Sequence, residues 1–457
     1  MKVLLINPLD REFLPPSMPP LGLSYVAASL RSVGYDIEIV DLDVDRKNGV
    51  VYLKSLLSKD HFDMIGVSSI IPQYKKVKML GRFIKSITPH TPLVMGGAGP
   101  TSIPKLFLEN CSADIVCIGE GEETVKELAA SIQDEIPLEL CKGIVFKNNE
   151  GLCITTSGRE QITDISKIVF PAWDLFPNIN TYLENYLFKN NRRKGISILS
   201  TRGCPGQCNY CMCNFGRNLR IRTIENISYE IESLLETYNI DHVHFVDDTF
   251  ITTRKRVVEL CETFNSKFKD LTWSANVRAD YVKEDTLKLM AASRCIFLAY
   301  GIESGSPAVL EYMKKDVTVN QASDAIRWTK EAGITMATYF IIGMPCETVE
   351  TVKETVSFCK ENLVGGEFFF ATPIPGTELY THARDSKLIT DEDTYLEHLG
   401  EVRNFLINLT RMSNEDLFTL KENAEEEIKA HLGLFNIEVK PSTRTLPHEA
   451  AALLPKF

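Results

Sequence analysis

Thr201-Arg202-Gly203-Cys204-Pro205-Gly206-Gln207-Cys208-Asn209-Tyr210-Cys211 is the stretch on which fold and chemistry turn. Three thiols stand with three residues and then two between them. Thiolates are soft ligands that suit iron–sulfur clusters or zinc. A closed structural site wants four protein ligands, so three leave one metal position open to a substrate or cofactor. The apolar run Gly195-Ile196-Ser197-Ile198-Leu199-Ser200 comes just before and reads as a buried strand, which puts the thiols on the loop at its C-terminal end. A zinc knuckle completed by a distant residue, or chance clustering, accounts for the same spacing.

Around this stretch lies a chain of 457 residues, room for two to three domains each with its own core. A hydrophobic content of 44% and a charged content of 24% are those of a globular protein. The net charge of −11 argues against a protein that tracks nucleic-acid phosphates. No run of about eighteen apolar residues is present, so no membrane span is expected. Met1-Lys2-Val3-Leu4-Leu5-Ile6-Asn7-Pro8 lacks a small-residue cleavage site and reads as a first strand rather than a signal peptide. Twelve cysteines spread along the chain read as reduced thiols of a cytoplasmic protein, not as a disulfide framework.

The N-terminal part alternates short apolar runs with helical patterns, the sign of a parallel α/β sheet. Strands read at Val3–Ile6, Ile37–Val40, Met64–Val67, Leu93–Met95 and Ile115–Ile118. Such a sheet binds ligands at the carboxyl ends of its strands. Those ends hold Asn7-Pro8-Leu9, Ser68-Ser69-Ile70, Gly96-Gly97-Ala98-Gly99-Pro100 and Gly119-Glu120-Gly121-Glu122. A plain turn explains any one of these loops; four ending successive strands point to a bulky ligand near the backbone. A hairpin-like stretch, Gly143–Thr155, follows, then an irregular connector with a basic run at 189–194 that reads as a solvated loop.

From Gly195 the alternation resumes with a longer period, with strands near 195–200, 242–247, 272–277, 296–301, 336–343 and 367–372. Six βα units suggest a partial (β/α) barrel whose chemistry sits at the C-terminal ends of its strands. Successive ends carry Asp247-Asp248, Asn276-Val277-Arg278, Gly301-Ile302-Glu303-Ser304, Gly343-Met344-Pro345-Cys346-Glu347 and Pro373-Ile374-Pro375-Gly376-Thr377. The two aspartates could accept hydrogen bonds from an ammonium or a ribose, or simply cap the next helix. Their regular placement favours one shared cavity. The last stretch reads as helical, with Asn414-Glu415-Asp416 capping a helix through Leu417–Leu432 and a weakly structured tail after Pro441.

The strings GIESGS…L…MKK, IGMPCET, DDTF and PIPGT, together with the three-cysteine loop, resemble the cobalamin-binding class of radical S-adenosylmethionine (SAM) enzymes. PPLGLSYVAASLRSVGYDIEIVD, DMIGVSS, GGAGPTSIP and DIVCIGEGEETVKEL resemble that class's cobalamin-binding domain, and the likeness extends over about residues 1–385. It implies an α/β fold in which a Rossmann-like cobalamin-binding domain (1–140) is followed by a hairpin and connector (141–194). A partial (β/α)6 radical SAM barrel (195–385) and a C-terminal helical region (386–457) complete it. The chain lacks an Asp-x-His-x-x-Gly motif, which in this class implies cobalamin held with its lower base detached. Its glycine loop also reads Gly-Gly-Ala-Gly-Pro where many relatives place a histidine.

By the resemblance, Cys204, Cys208 and Cys211 hold a four-iron four-sulfur (4Fe-4S) cluster whose free iron binds SAM. Tyr210, Asp247, Asn276, Arg278 and Glu303 are the implied SAM contacts. Asn7, Ser68, Ser69, Gly96, Gly97, Gly99, Gly119 and Glu120 are the implied cobalamin contacts. Cys213 reads as a packed thiol and not as a ligand. The implied activity is C-methylation of an unactivated carbon, by reductive cleavage of SAM and methyl transfer from methylcobalamin. Cyclisation, rearrangement, or a dehydratase or lyase reaction without cobalamin are the alternatives. An external one-electron reductant such as a flavodoxin or ferredoxin is implied as partner. The substrate, a small molecule or a peptide, is not legible.

Overall fold

The computed structural model describes residues 1–9, 16–186, 193–400 and 405–437. Two sheets organise them. The first comprises β1 (Lys2–Asn7), β2 (Asp36–Asp41), β3 (Met64–Ser68), β4 (Leu93–Gly96), β5 (Ile115–Cys117), β6 (Ile144–Lys147) and β7 (Cys153–Thr155), in the order β2-β1-β3-β4-β5-β6-β7. The first five are parallel, in registers such as Val3↔Ile37 and Val3↔Met64. Their unbroken apolar runs follow from burial on both faces, since helices cover each side. The hairpin read at Gly143–Thr155 extends this sheet: β6 pairs antiparallel with β5, Val116 opposite Val145.

Two short strands, β9 (Thr201–Arg202) and β10 (Arg220–Ile221), form a separate antiparallel ribbon. The second sheet holds β8 (Gly195–Ile198), β11 (His242–Phe245), β12 (Thr272–Val277), β13 (Cys295–Glu303), β14 (Thr335–Ile342) and β15 (Gly366–Phe370), all parallel and in chain order. Val243, Phe245 and Trp273 face the helices, where Phe245 and Phe264 pack on Trp273 with centroids 5.9 and 5.7 Å away. Alternation puts His242, His244 and Ser274 on the concave face. There His242 meets Thr272 at 2.9 Å and Ser274 at 2.8 Å, and His244 meets Ser274 at 2.7 Å. Burial lowers the histidine pKa values to about 3 and about 4, so this floor is uncharged.

The strand expected at 195–200 stops at Ile198, and the chain turns into the ribbon instead. The ribbon closes the base of the three-cysteine loop. Gly203 is left-handed at φ +91°, with the Asn218 carbonyl where a Cβ would stand.

The last helix begins at Asn414 with Ser413 as its cap, accepting from the Asp416 amide at 3.1 Å, and ends at Gly433. Its Leu417, Ala424, Ile428 and Leu432 are buried at helical spacing. Phe418 packs on Phe370 of β15 at 5.0 Å. Upstream, the helix Glu392–Leu399 straps the barrel to the first domain: Lys78 donates to Asp393 at 2.6 Å and to Glu397 at 2.7 Å. Most of the 189–194 run and the tail after Pro441 lie outside the described residues. Among the described residues no helix is long and apolar enough to cross a membrane.

Candidate active site at the seam of the two sheets

The cysteine loop is pinned from three sides. The Cys204 amide donates to Gly216 O at 3.1 Å, that of Asn209 to Met313 O at 3.1 Å, and that of Leu379 to Asn209 O at 3.0 Å. The Asn209 side chain adds a bond to Tyr312 O at 2.6 Å. Cys208 is buried, Cys204 half-buried and Cys211 exposed. Nη1 of Arg278 stands 4.0 Å from the Cys208 sulfur. A Cβ on Gly206 would lie 3.0 Å from that nitrogen and 3.4 Å from the Cys204 sulfur, so Gly206 leaves the loop room between them.

Among the described residues no three His, Cys, Asp or Glu side chains gather closely enough to share one metal ion. A single zinc would ask for such a gathering, with a fourth ligand. A cluster asks for less, because each thiolate takes a different iron. Three soft donors on one loop, beside a cation able to balance an anionic cluster, fit such a cluster.

Arg278 is itself held by Asp280, at 3.1 Å through both Nε and Nη2, and by Lys315 O at 2.8 Å. Burial works against its charge, but the hydrogen bonds and charge of Asp280 hold its pKa above the ordinary value. Glu303 is buried and paired with Lys315 at 2.9 Å, and Lys315 also donates to the Tyr210 hydroxyl at 3.3 Å. Burial, then the Glu303 charge, pushes the Tyr210 pKa up. Tyr210, Glu303 and Arg278 therefore meet around the cysteine loop, and Asn276 is exposed on the same sheet. Lys315 stands in the MKK string without a role legible from sequence, since nothing there tells which of the two adjacent lysines is the buried one.

Asp247 does something else. Both its oxygens are taken by the turn leading to the cysteines: Oδ1 accepts from the amides of Ser200 (2.6 Å) and Thr201 (2.9 Å), Oδ2 from the Ser200 hydroxyl (2.5 Å). It positions the loop. Cys213 donates to Gly216 O at 2.7 Å.

On the first sheet the expected cobalamin residues divide in two. Ser68, Gly96, Gly97 and Gly119 form a ledge at the strand ends, with Gly97 and Gly119 exposed. Gly97 has φ +102°, and a Cβ there would meet Ser69 O at 2.6 Å; Gly119 has φ +77° and open space around it. Gly99 and Ser69 are buried beneath, joined by a 3.0 Å backbone bond. A bare backbone ledge of this kind fits a bulky flat ligand. Asn7 and Glu120 are engaged elsewhere. Asn7 donates to Asp41 at 2.8 Å and to the Tyr182 hydroxyl at 3.2 Å. Glu120 accepts from Arg220 at 2.8 Å and from Arg202 at 3.1 Å. Gly376 stands between the two sites: a Cβ there would lie 3.4 Å from Cβ of Ser102, at the end of the helix Ala98–Ser102 that follows the ledge, and 4.0 Å from Met212 Cγ, next to Cys211.

Residues 198–359 match the radical SAM superfamily, and residues 14–129 match the B12 binding domain. The chain belongs to the cobalamin-binding radical SAM enzymes. It is 30% identical to an uncharacterized methyltransferase of Pyrococcus horikoshii, over 85% of this chain and 84% of that protein. It is 26% identical to the anaerobic magnesium-protoporphyrin IX monomethyl ester cyclase of Rubrivivax gelatinosus, over 86% and 72%. Its fold resembles that of the radical SAM methyltransferase TsrM of Kitasatospora setae, with a TM-score of 0.75 at 18% identity, covering 98% of this chain and 91% of that one. As a cobalamin-binding radical SAM enzyme it uses a four-iron four-sulfur cluster, SAM and cobalamin.

Proposed function

We propose that this radical SAM enzyme is a C-methyltransferase acting on an unactivated carbon. The observation that carries the reading is the contact at Gly376, which stands between Ser102, at the end of the short helix that follows the glycine ledge, and Met212, next to Cys211. Its bound groups supply a radical at the substrate and a methyl group to quench it, while the protein positions them and excludes water. Cys204, Cys208 and Cys211 hold the cluster. Glu303, set by Lys315, accepts from the SAM ammonium, and Asn276 and Tyr210 complete that pocket. Asp247 acts through the turn rather than on SAM. Ser68, Gly96, Gly97 and Gly119 receive the corrin face. A flavodoxin or ferredoxin delivers the electron. The domain limits set out from the sequence serve this reading, with the first sheet carried through the hairpin.

The test is anaerobic turnover with SAM and reductant. S-adenosylhomocysteine alongside 5′-deoxyadenosine supports methyl transfer. 5′-Deoxyadenosine alone, with no methyl gained by the product, overturns it in favour of the cyclisation suggested by the second relative. Protein that takes up no corrinoid from cobalamin-supplied medium would point to a dehydratase or lyase.

A further inference from the structure

The buried charges between the two domains lie directly on the path from the cobalamin ledge to the first cluster cysteine. Glu120 follows the ledge residue Gly119, and Glu122 sits in the first turn of the helix Gly121–Gln133, where the helix dipole favours acidic groups. Across the seam stand Arg202 and Arg220, opposite each other on the ribbon that closes the cysteine loop. Arg220 reaches both Glu120 oxygens at 2.8 Å, and Arg202 bridges Glu120 at 3.1 Å and Glu122 at 2.5 Å. All four side chains are at most 7% exposed. Burial works against the Glu120 charge, but the arginines overcome it and hold its pKa below the usual carboxylate range. Arg202 also lies between the rings of Tyr25 in the first domain (5.2 Å) and Phe215 in the cysteine loop (4.8 Å).

The path continues without a break. Arg220 Nη2 donates to Phe215 O at 3.0 Å, the next residue's carbonyl takes the Cys204 amide at 3.1 Å, and Thr101 of the glycine loop accepts from the Gly119 amide at 3.0 Å. We infer that Glu120, Glu122, Arg202 and Arg220 form an alignment clamp that fixes the cluster loop relative to the cobalamin ledge. They are positioning residues: none faces the thiols or the open ledge. A buried two-by-two charge array suits alignment better than cohesion, since apolar packing of equal volume would hold the domains as well. Here Arg202 divides its two terminal nitrogens between Glu120 and Glu122, and Glu120 is shared by both arginines, so the four groups fix angle as well as distance. The inference rests on the two cofactors of the family and not on methyl transfer, so a cyclase would need the clamp equally.

The test uses full-length holoenzyme carrying cluster and cobalamin, reduced so that the cluster and cobalt(II) each hold one unpaired electron. Their magnetic interaction reports mutual distance and orientation by electron paramagnetic resonance. The wild type is expected to show one well-defined splitting. Glu120→Gln should keep iron and corrinoid per chain while the splitting broadens or is lost. Glu122→Gln, which leaves Glu120 on both arginines, should show a smaller broadening, and carries the test if Glu120→Gln does not fold. Wild-type splitting in the variants overturns the clamp, as does a wild type without any splitting. Parallel loss of fold, cofactors and splitting in both variants would also overturn it, leaving the charges a purely structural role.

Discussion

Arg278 stands 4.0 Å from the Cys208 sulfur while Asp280 grips its other face at 3.1 Å. A cation in contact with a cluster ligand favours the reduced cluster, which carries one more negative charge. Arg278→Met is therefore expected to lower the cluster midpoint potential by about 60 mV, a tenfold shift in a one-electron equilibrium. Arg278→Lys should recover most of it. Leaving Asp280 without its partner should also cost about 1–3 kcal/mol of stability. A redox titration followed by electron paramagnetic resonance decides; an unchanged potential in the Met variant sinks the argument.

Cys211 and Cys213 are neighbours in sequence with different expected fates. The Cys213 thiol is occupied with Gly216 O. Its loss removes one weak hydrogen bond, worth about 1 kcal/mol or less. Cys213→Ala should bind as much iron and sulfide per chain as wild type after anaerobic reconstitution, whereas Cys211→Ala should lose the cluster. Equal loss in both would make Cys213 a ligand.

Much of this was legible from the chain, and the reasons are local. Parallel strands buried on both faces write continuous apolar runs, so Val3–Ile6 and Met64–Val67 could be read within a residue or two of their ends. Ligand cysteines carry spacing. The ribbon at Arg202 and Arg220 was not legible, because two-residue strands leave no periodicity and their pairing spans the whole loop. Glu120 and Asn7 mark strand ends, but which face they serve depends on partners far away in sequence, Arg220 and Tyr182. Lys315 was hidden for the same reason: a buried lysine looks like a surface one until its carboxylate is found.

The two exposed ledge glycines separate backbone strain from ligand space. A Cβ on Gly97 would strike Ser69 O at 2.6 Å in a left-handed backbone, so Gly97→Ala should destabilise the protein by about 1–3 kcal/mol. Around Gly119 nothing lies within 4 Å, leaving only the left-handed cost of about 1–2 kcal/mol. Gly119→Ala should thus lose no more than about 1–2 kcal/mol of stability without cobalamin, yet retain less corrinoid on purification than that loss explains. Full corrinoid retention would remove Gly119 from the ledge.

Asp247 gives the turn before the cysteines a dependence on pH. Burial raises its pKa to about 6, against the hydrogen bonds from Ser200 and Thr201. In the unfolded chain an aspartate titrates near about 4. Between those values the native state keeps a proton that the unfolded chain has released, so this group's contribution falls as pH rises from about 4 to 6 and is flat above. The two-unit shift corresponds to roughly 3 kcal/mol. In Asp247→Asn, Oδ1 still accepts both amides and the new amide donates to the Ser200 hydroxyl, which can turn to accept. That variant should lose the slope and match or exceed wild-type stability at neutral pH, with its iron retained. Asp247→Ala leaves two buried amides unpaired and should lose about 2–3 kcal/mol together with much of its iron. Urea unfolding at several pH values between 4 and 7 reads the difference. An Asn variant whose stability runs parallel to wild type across that range would show that Asp247 is already ionised at the acid end, and would overturn the raised pKa.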